Sequence, residues 1–270
     1  MKKRLDELLL ERGYFESLAK AQGAIMAGIV MDRNGYRLEK AGLRVAEDIV
    51  LDVRLRDGRY ASRGGLKLER ALAEFRVELT GKTVLDVGSS TGGFTDCALR
   101  HGAARVIAVD SGTNQLVWRL RNDPRVKVLE QTNFRHMIAA DLGGLIPTVA
   151  LIDVSFISLA LIFPNLWALL PEGAHVVALV KPQFEAPISE IEAGGLVTNR
   201  EVWRRVLEKA TRAAAESGFR PLGLIRSPIE GMTGNREFLL HASRETSRNA
   251  TEVEAGAVEL SNQIAAVCGP

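Results

Sequence analysis

The stretch Val84-Leu85-Asp86-Val87-Gly88-Ser89-Ser90-Thr91-Gly92-Gly93-Phe94 carries the densest chemical signal in the chain. An apolar run that breaks into glycines and resumes with a helical pattern is a strand, a tight turn and a helix, and such a turn lets backbone N–H groups approach a ligand closely. A dinucleotide turn has the form G-x-G-x-x-G, whereas this one is G-x-x-x-G-G and lacks the middle glycine. No Gly-Lys-Ser/Thr follows, which excludes a P-loop. Asp110, about 20 residues further on, ends the next apolar run beside Ser111, where a carboxylate can accept both hydroxyls of a ribose. Asn133 and Phe134 follow the third run and are placed to meet a base, by amide hydrogen bond and by stacking. Asn133 reads equally well as a helix cap. The implied ligand is a nucleoside.

Four polar residues fall at strand ends or next to the sheet: Lys67, Asp153, Lys181 and Glu237. Ligands bind at the carboxyl ends of parallel strands. Asp153 is a charge at the end of Thr148-Val149-Ala150-Leu151-Ile152, and a buried charge normally requires a reason. For any one of these residues taken alone, a surface salt bridge is the simpler reading. Gly88-Ser89-Ser90-Thr91-Gly92 also matches G-x-S-x-G, and Ser90, Asp153 and His241 follow the hydrolase order. Against this, a hydrolase lays down several strands before its elbow, and here only about 25 residues precede this strand after the small N-terminal unit.

The elements that must position these residues alternate. Strands are predicted at Thr83–Val87, Arg105–Asp110, Lys127–Glu130, Val149–Asp153 and His175–Val180, with helices between them and a further helix over Glu201–Ser217. Leu222–Arg226 and Glu237–His241 read as a closing strand pair. This is a mostly parallel α/β sheet with helices on both faces. Pro182–Thr198, with Gly194-Gly195, reads as a long loop beside the site.

The first 56 residues have a different character. Arg4–Arg12 places Leu5, Leu8 and Leu9 on one helical face and stops at Gly13; Ser17 caps a second helix through Met26, stopped at Gly28. Ile29–Asp32, the Asn34-Gly35 turn and Asp48–Val53 read as strand, hairpin turn and strand. This unit resembles the S4 RNA-binding module, in Arg4-Leu5-Asp6, Gly13, Ser17, Ala27-Gly28-Ile29-Val30 and Asn34-Gly35. The module usually carries an Arg directly after the serine, and Leu18 stands there instead.

Of the 270 residues, 46% are hydrophobic and 25% charged, the composition of a globular protein. The net charge of +2 hides basic stretches: residues 100–135 hold 7 Lys+Arg against 3 Asp+Glu, and residues 200–248 hold 10 against 6. Such stretches can form a phosphate-facing surface. Cys97 and Cys268 cannot build a disulfide framework or a thiolate metal site, so no metal and a reducing, cytoplasmic location are expected. Neither a signal peptide nor a membrane span is expected.

Asp86-x-Gly88-x-x-x-Gly92-Gly93-Phe94, together with Asp110, Asp153 and Lys181-Pro182-Gln183-Phe184, resembles the S-adenosylmethionine-dependent FtsJ-like RNA 2′-O-methyltransferases. With the S4-like unit and Ser62-Arg63-Gly64-Gly65-x-Lys67, the resemblance narrows to the TlyA family and covers essentially the whole chain. It implies a Rossmann-like methyltransferase fold with a small α+β domain: residues 1–58 S4-like, 59–63 linker, 64–270 methyltransferase. S-adenosylmethionine would lie against Asp86, Gly88–Phe94, Asp110, Ser111, Asn133 and Phe134. Lys67, Asp153, Lys181 and Glu237 would form a Lys-Asp-Lys-Glu tetrad, with Lys181 nearest the target hydroxyl, orienting or deprotonating it. Lys3, Arg4, Arg12, Lys20, Arg63 and Asn235 are the expected RNA contacts, Asn235 reading equally as a turn residue. The implied substrate is ribosomal RNA in ribosomal subunits, methylated on a cytidine ribose; the oligomeric state stays open. Base N-methyltransferases more often show Asn/Asp-Pro-Pro-aromatic where this chain has Asp153-Val154-Ser155-Phe156, which favours hydroxyl chemistry. A non-catalytic RNA-binding protein and a membrane-active, haemolysin-like protein are the alternatives.

Overall fold

A computed structural model describes residues 2–12, 14–15, 17–32, 35–49, 51–53, 59–231, 233–245 and 250–269. The predicted helix stop Gly13, the turn residue Asn34 and the predicted domain boundary at 58 lie outside the described residues.

The N-terminal unit opens with β1 (Lys2–Arg4), α1 (Leu5–Glu11) and α2 (Leu18–Met26), followed by β2 (Val30–Asp32), β3 (Arg44–Ala46) and β4 (Leu51–Val53). Ser17 caps α2 as expected, its side chain accepting from the Lys20 N–H. Leu5, Leu8, Leu9, Ala21, Ala24 and Ile25 meet Val30, Val45 and Leu51 in a small core. Two pairings differ from the sequence reading. β1 pairs antiparallel with β3, and β2 pairs with β4; among the described residues the return after the predicted hairpin is marked by an isolated bridge, Met31 to Arg37. β1 and β3 are three residues each, too short to show alternation, and their partners are far apart in sequence. Of the predicted Asp48–Val53, the last strand of this unit covers Leu51–Val53.

The larger unit begins with α3 (Gly64–Phe75) and β5 (Thr83–Val87), then α4 (Gly93–Arg100), β6 (Arg105–Val109), α5 (Trp118–Arg121), β7 (Val126–Leu129), β8 (Val149–Ile152), α6 (Phe163–Leu169), β9 (His175–Val180), α7 (Pro182–Glu185), α8 (Arg200–Glu216), β10 (Phe219–Arg226), β11 (Phe238–Arg244) and α9 (Ala250–Cys268). The seven strands form one sheet in the order β10-β11-β9-β8-β5-β6-β7. β5 to β9 are parallel, and β10 and β11 close the sheet antiparallel. All five parallel strands and the closing pair fall where the sequence predicted them, within a few residues.

Period-two alternation sends successive side chains to opposite faces. On β5, Leu85 and Val87 join α6, α8 and α9 on one face, while Val84 joins α3 and α4 on the other. Each fully buried aliphatic side chain contributes about 1.5–3 kcal/mol. The expected helices shrink on the β6–β8 side: α5 is a single turn, and two short 3-10 turns, Phe134–His136 and Ala139–Leu142, connect β7 to β8. These segments lack two turns of apolar periodicity. Conversely, α3 was not predicted, because its opening Gly64-Gly65 is a poor helix signal. Leu68, Ala71 and Leu72 bury its inner face, and Lys67 comes from this helix.

Candidate active site

β5 runs into Gly88, whose N–H donates to the Val109 carbonyl (2.8 Å). Gly88 has φ +84°, and a Cβ there would lie 2.5 Å from the Asp153 carbonyl oxygen, so only glycine lets the turn pass so close to the end of β8. Gly92, at φ +97°, starts α4. Between them Ser90 has φ +46° and donates its N–H to Asp110 Oδ2 (2.8 Å). Asp110 Oδ1 accepts the Gly112 N–H (2.7 Å). Asp110 therefore links the glycine turn to the loop after β6, with Ser111 exposed beside it.

Beneath the turn, Asp86 is fully buried. Its Oδ2 accepts from Thr95 Oγ1 (2.6 Å), while Oδ1 is buried without a partner. Burial pushes this carboxyl up to about 7, assisted by the negative charges of Asp153 and Asp110. An acceptor left unpaired in the interior is costly, and its place under a glycine turn fits a cationic, donor-bearing ligand. Asn133 caps the 3-10 turn, its Oδ1 accepting from the Arg135 N–H (3.1 Å). Phe134 corrects the sequence reading. It is 5% exposed within the sheet core, so its ring is a floor of the fold rather than a displayed stacking surface.

The four predicted catalytic residues form two ion pairs. Lys181 Nζ lies 2.7 Å from Asp153 Oδ1 and donates to Ser155 Oγ (2.9 Å). Lys67, from α3, donates to Glu237 Oε2, and both are buried. Register brings the pairs together: Phe238 of β11 stands opposite Val180 of β9, so Glu237 and Lys181 are facing neighbours just beyond the ladder. The start of α3 lies against Asp153, since a Cβ on Gly64 would be 3.6 Å from Asp153 Oδ2.

Three residues beside Lys181 and Asp153, namely Ser155, Phe156 and Phe184, carry no role in the sequence reading. Phe156 has φ +63° and is 89% exposed; its ring packs on Phe184 with centroids 4.8 Å apart. Lys181 Nζ lies 5.8 Å from the Phe184 ring centre, and Ser155 accepts from Lys181. A bulky residue held at positive φ stores strain, which persists where the surroundings over-determine it. Strain and exposure of this kind leave no mark in residue spacing.

Asn235 is corrected as an RNA contact. It is 1% exposed, accepts from the Val197 N–H (2.9 Å) and donates to the Gly195 carbonyl (2.8 Å), so it ties two loops together. Arg12 is likewise occupied, donating to the Ile49 carbonyl (2.6 Å) and to the Glu47 carbonyl. Lys3 pairs with Glu11 and Glu47, and Arg4 with Asp6 and Glu7. Lys20 and Arg63 are exposed. The hydrolase reading fails on geometry. The His241 ring nitrogen Nε2 lies 3.0 Å from His175 Nδ1, burial lowers its pKa to about 4 with His175 adding repulsion, and Asp153 is held by Lys181. Among the described residues, no group of three or more His, Cys, Asp or Glu could hold a metal ion, and no helix is long and apolar enough to cross a membrane.

A family model described as FtsJ-like methyltransferase matches residues 60–244. YqxC of Bacillus subtilis (strain 168), provisionally named an rRNA methyltransferase, is 52% identical over 240 residues, covering 89% of this chain and 85% of that protein. The 16S/23S rRNA (cytidine-2′-O)-methyltransferase TlyA of Mycobacterium tuberculosis is 40% identical over 246 residues, 91% of each chain. Among solved structures, a provisionally named hemolysin from Streptococcus thermophilus is 44% identical, with a TM-score of 0.75 over 98% of this chain and 95% of that one.

Proposed function

Because this chain belongs to the FtsJ-like methyltransferase family, we propose that it transfers a methyl group from S-adenosylmethionine to the 2′-hydroxyl of a cytidine ribose in ribosomal RNA. The observation that carries this reading is the joining of two lysine–carboxylate pairs, Lys181–Asp153 and Lys67–Glu237, at one end of the sheet beside a glycine turn with an unpaired buried carboxylate. The substrate class is taken from the relatives named for rRNA methylation, at 40% identity over most of the chain.

When bound, S-adenosylmethionine supplies an electrophilic methyl group on a sulfonium. The negative charge of Asp86 beneath the glycine turn would favour its cationic end, and Asp110 would accept its ribose hydroxyls. Methyl transfer to an alcohol then asks for two things, in-line approach and removal of a proton as the O–C bond forms. Lys181 Nζ holds the substrate hydroxyl, and the proton leaves into the Lys181–Asp153 pair. Lys67 and Glu237, held in the interior, fix the ribose and the position of Lys181. The exposed Phe156 ring, backed by Phe184, offers a stacking surface to an unpaired base, as single-stranded RNA recognition requires. Residues 1–58 act as the S4-like RNA-binding unit, with Lys20 and, in the linker, Arg63 on the exposed surface. A ribosomal substrate places the protein in the cytoplasm.

The test is transfer of labelled methyl from S-adenosylmethionine to purified ribosomal subunits and naked rRNA, with the modified nucleotide mapped. Wild type labels a cytidine 2′-oxygen, and Lys181→Ala loses about 10²–10⁴ of the rate while binding S-adenosylmethionine as wild type does. A folded Lys181→Ala protein with a normal rate would overturn the assignment of Lys181. Cofactor binding without transfer to any RNA would overturn the substrate, and no cofactor binding would favour a non-catalytic RNA-binding protein.

A further inference from the structure

We infer that Glu185 is a positioning residue for the transfer, a buried clamp that holds the two loops carrying Lys181 and Asp153 in register. The inference rests on the reading of Lys181 and Asp153 given above.

The segment after β8 carries Asp153, Ser155 and Phe156; the turn after β9 carries Lys181 and Phe184. They run side by side and are joined at three levels. Nearest the sheet, Lys181 Nζ meets Asp153 Oδ1 (2.7 Å) and Ser155 Oγ (2.9 Å). Midway, the rings of Phe156 and Phe184 touch, centroids 4.8 Å apart. At the far end, Glu185 Oε1 accepts the Leu159 N–H and Oε2 accepts the Ser158 hydroxyl, both at 2.6 Å. Glu185 is 5% exposed. Lys209 of α8 completes its surroundings, with Nζ 3.4 Å from Oε2 and donating to the Glu185 carbonyl oxygen (2.9 Å).

In the proposed reaction the first two levels meet substrate and must yield to it: Lys181, partly covered, has to meet a hydroxyl, and the exposed Phe156 a base. The third lies out of reach in the interior, so its hydrogen bonds persist when the others change partners. A carboxylate accepting two short donors in the interior resists opening, because its release would leave an N–H, an O–H and a charge unsatisfied. Phe156 at φ +63° adds a reason for such a tie, since strained backbone persists only where its flanks are fixed. Ser158, two residues beyond it, is one of those flanks. Pro182 at the start of α7 stiffens the other side. A displacement of about 1 Å at the reacting atoms costs on the order of a hundredfold in rate, so a tie remote from the chemistry can set the rate.

The experiment compares wild type, Glu185→Ala, Glu185→Gln and Ser158→Ala in single-turnover methyl transfer to ribosomal subunits, with S-adenosylmethionine affinity and amide hydrogen exchange measured on each. Glu185→Ala is expected to slow the chemical step about 10–100-fold with cofactor affinity within about twofold of wild type. Exchange at 155–159 accelerates about tenfold or more while β8 and β9 stay protected. Glu185→Gln, which can still accept from Leu159 and donate to Ser158, recovers to within about fivefold; Ser158→Ala, a small change that leaves the core intact, loses about threefold. A wild-type rate in Glu185→Ala, unchanged exchange at 155–159, or a loss of rate matched by loss of cofactor binding would overturn the clamp. Absence of transfer by wild type itself would overturn the proposed reaction instead, and the exchange measurement would then decide the clamp alone.

Discussion

Asp6 in the N-terminal unit and Asp86 under the glycine turn are both sealed from solvent, yet their carboxyls move in opposite directions. Asp6 accepts from Arg4 at both oxygens, from Gln22 Nε2 and from the Glu7 N–H. The Arg4 hydrogen bonds lead in holding it down to about 2, against the opposing effect of burial. Asp86 has one donor, Thr95, and a bare Oδ1, and burial drives it up to about 7. One carboxylate is finished by its own chain and builds the fold. The other keeps one oxygen bare in the interior beneath the glycine turn, at a cost in stability.

Breaking the second carboxylate has the larger expected effect. Asp86→Asn keeps an acceptor for Thr95 and removes the charge, and calorimetry is expected to show S-adenosylmethionine affinity falling about 10–100-fold, the loss of a charge-assisted hydrogen bond. Stability moves the other way. The Asp86 value in the folded chain lies above its unfolded value of about 4, so its contribution is full below that value and is lost as pH rises through 7. The Asn variant therefore unfolds no more easily than wild type at pH 8, and a lower melting temperature there would count against the reading.

Asp6→Asn breaks the finished carboxylate. It is expected to cost about 1–3 kcal/mol of stability in denaturant unfolding and to leave cofactor affinity unchanged. Here the sign is reversed: the folded value lies below the unfolded one, so the stability is present above about pH 4 and disappears as pH falls toward 2.

The smallest effect sharpens the comparison in the wild-type chain. A cationic ligand favours ionised Asp86, and at pH 6 only about a tenth of a group titrating near 7 is ionised. Cofactor affinity should therefore rise about tenfold from pH 6 to pH 8 and level off above, with a proton released on binding at pH 6. Titration in buffers of different ionisation enthalpy measures that proton, and its absence would mean that Asp86 binds in a single charge state.

The same contrast separates what was legible in the sequence from what was not. The turn from Asp86 through Gly88 and Gly92 was readable because a strand entering a turn constrains residues that are adjacent in the chain. Lys67 and Glu237 lie 170 residues apart, and nothing local to either indicates that they pair. Phe134 and Asn235 were misplaced for a related reason. A phenylalanine after a strand and an asparagine after a glycine look the same whether they face a ligand or the interior, and here packing took Phe134 into the core while three loop hydrogen bonds occupied Asn235. Arg12 was read as a phosphate contact from its charge, but two backbone carbonyls claim it.

The sequence by itself determined the alternation of strands and helices, the parallel sheet and its closing antiparallel pair, the glycine turn and the order of the polar residues at strand ends. These follow from periodicity and local sterics, which act over a few residues. Tertiary structure alone decided which charges pair, which carboxylate is left open and which ring stands exposed. It also closed the Glu185 tie between two loops. Those outcomes depend on burial and on partners brought from distant parts of the chain, and the energy of a buried polar group is set by what surrounds it in space.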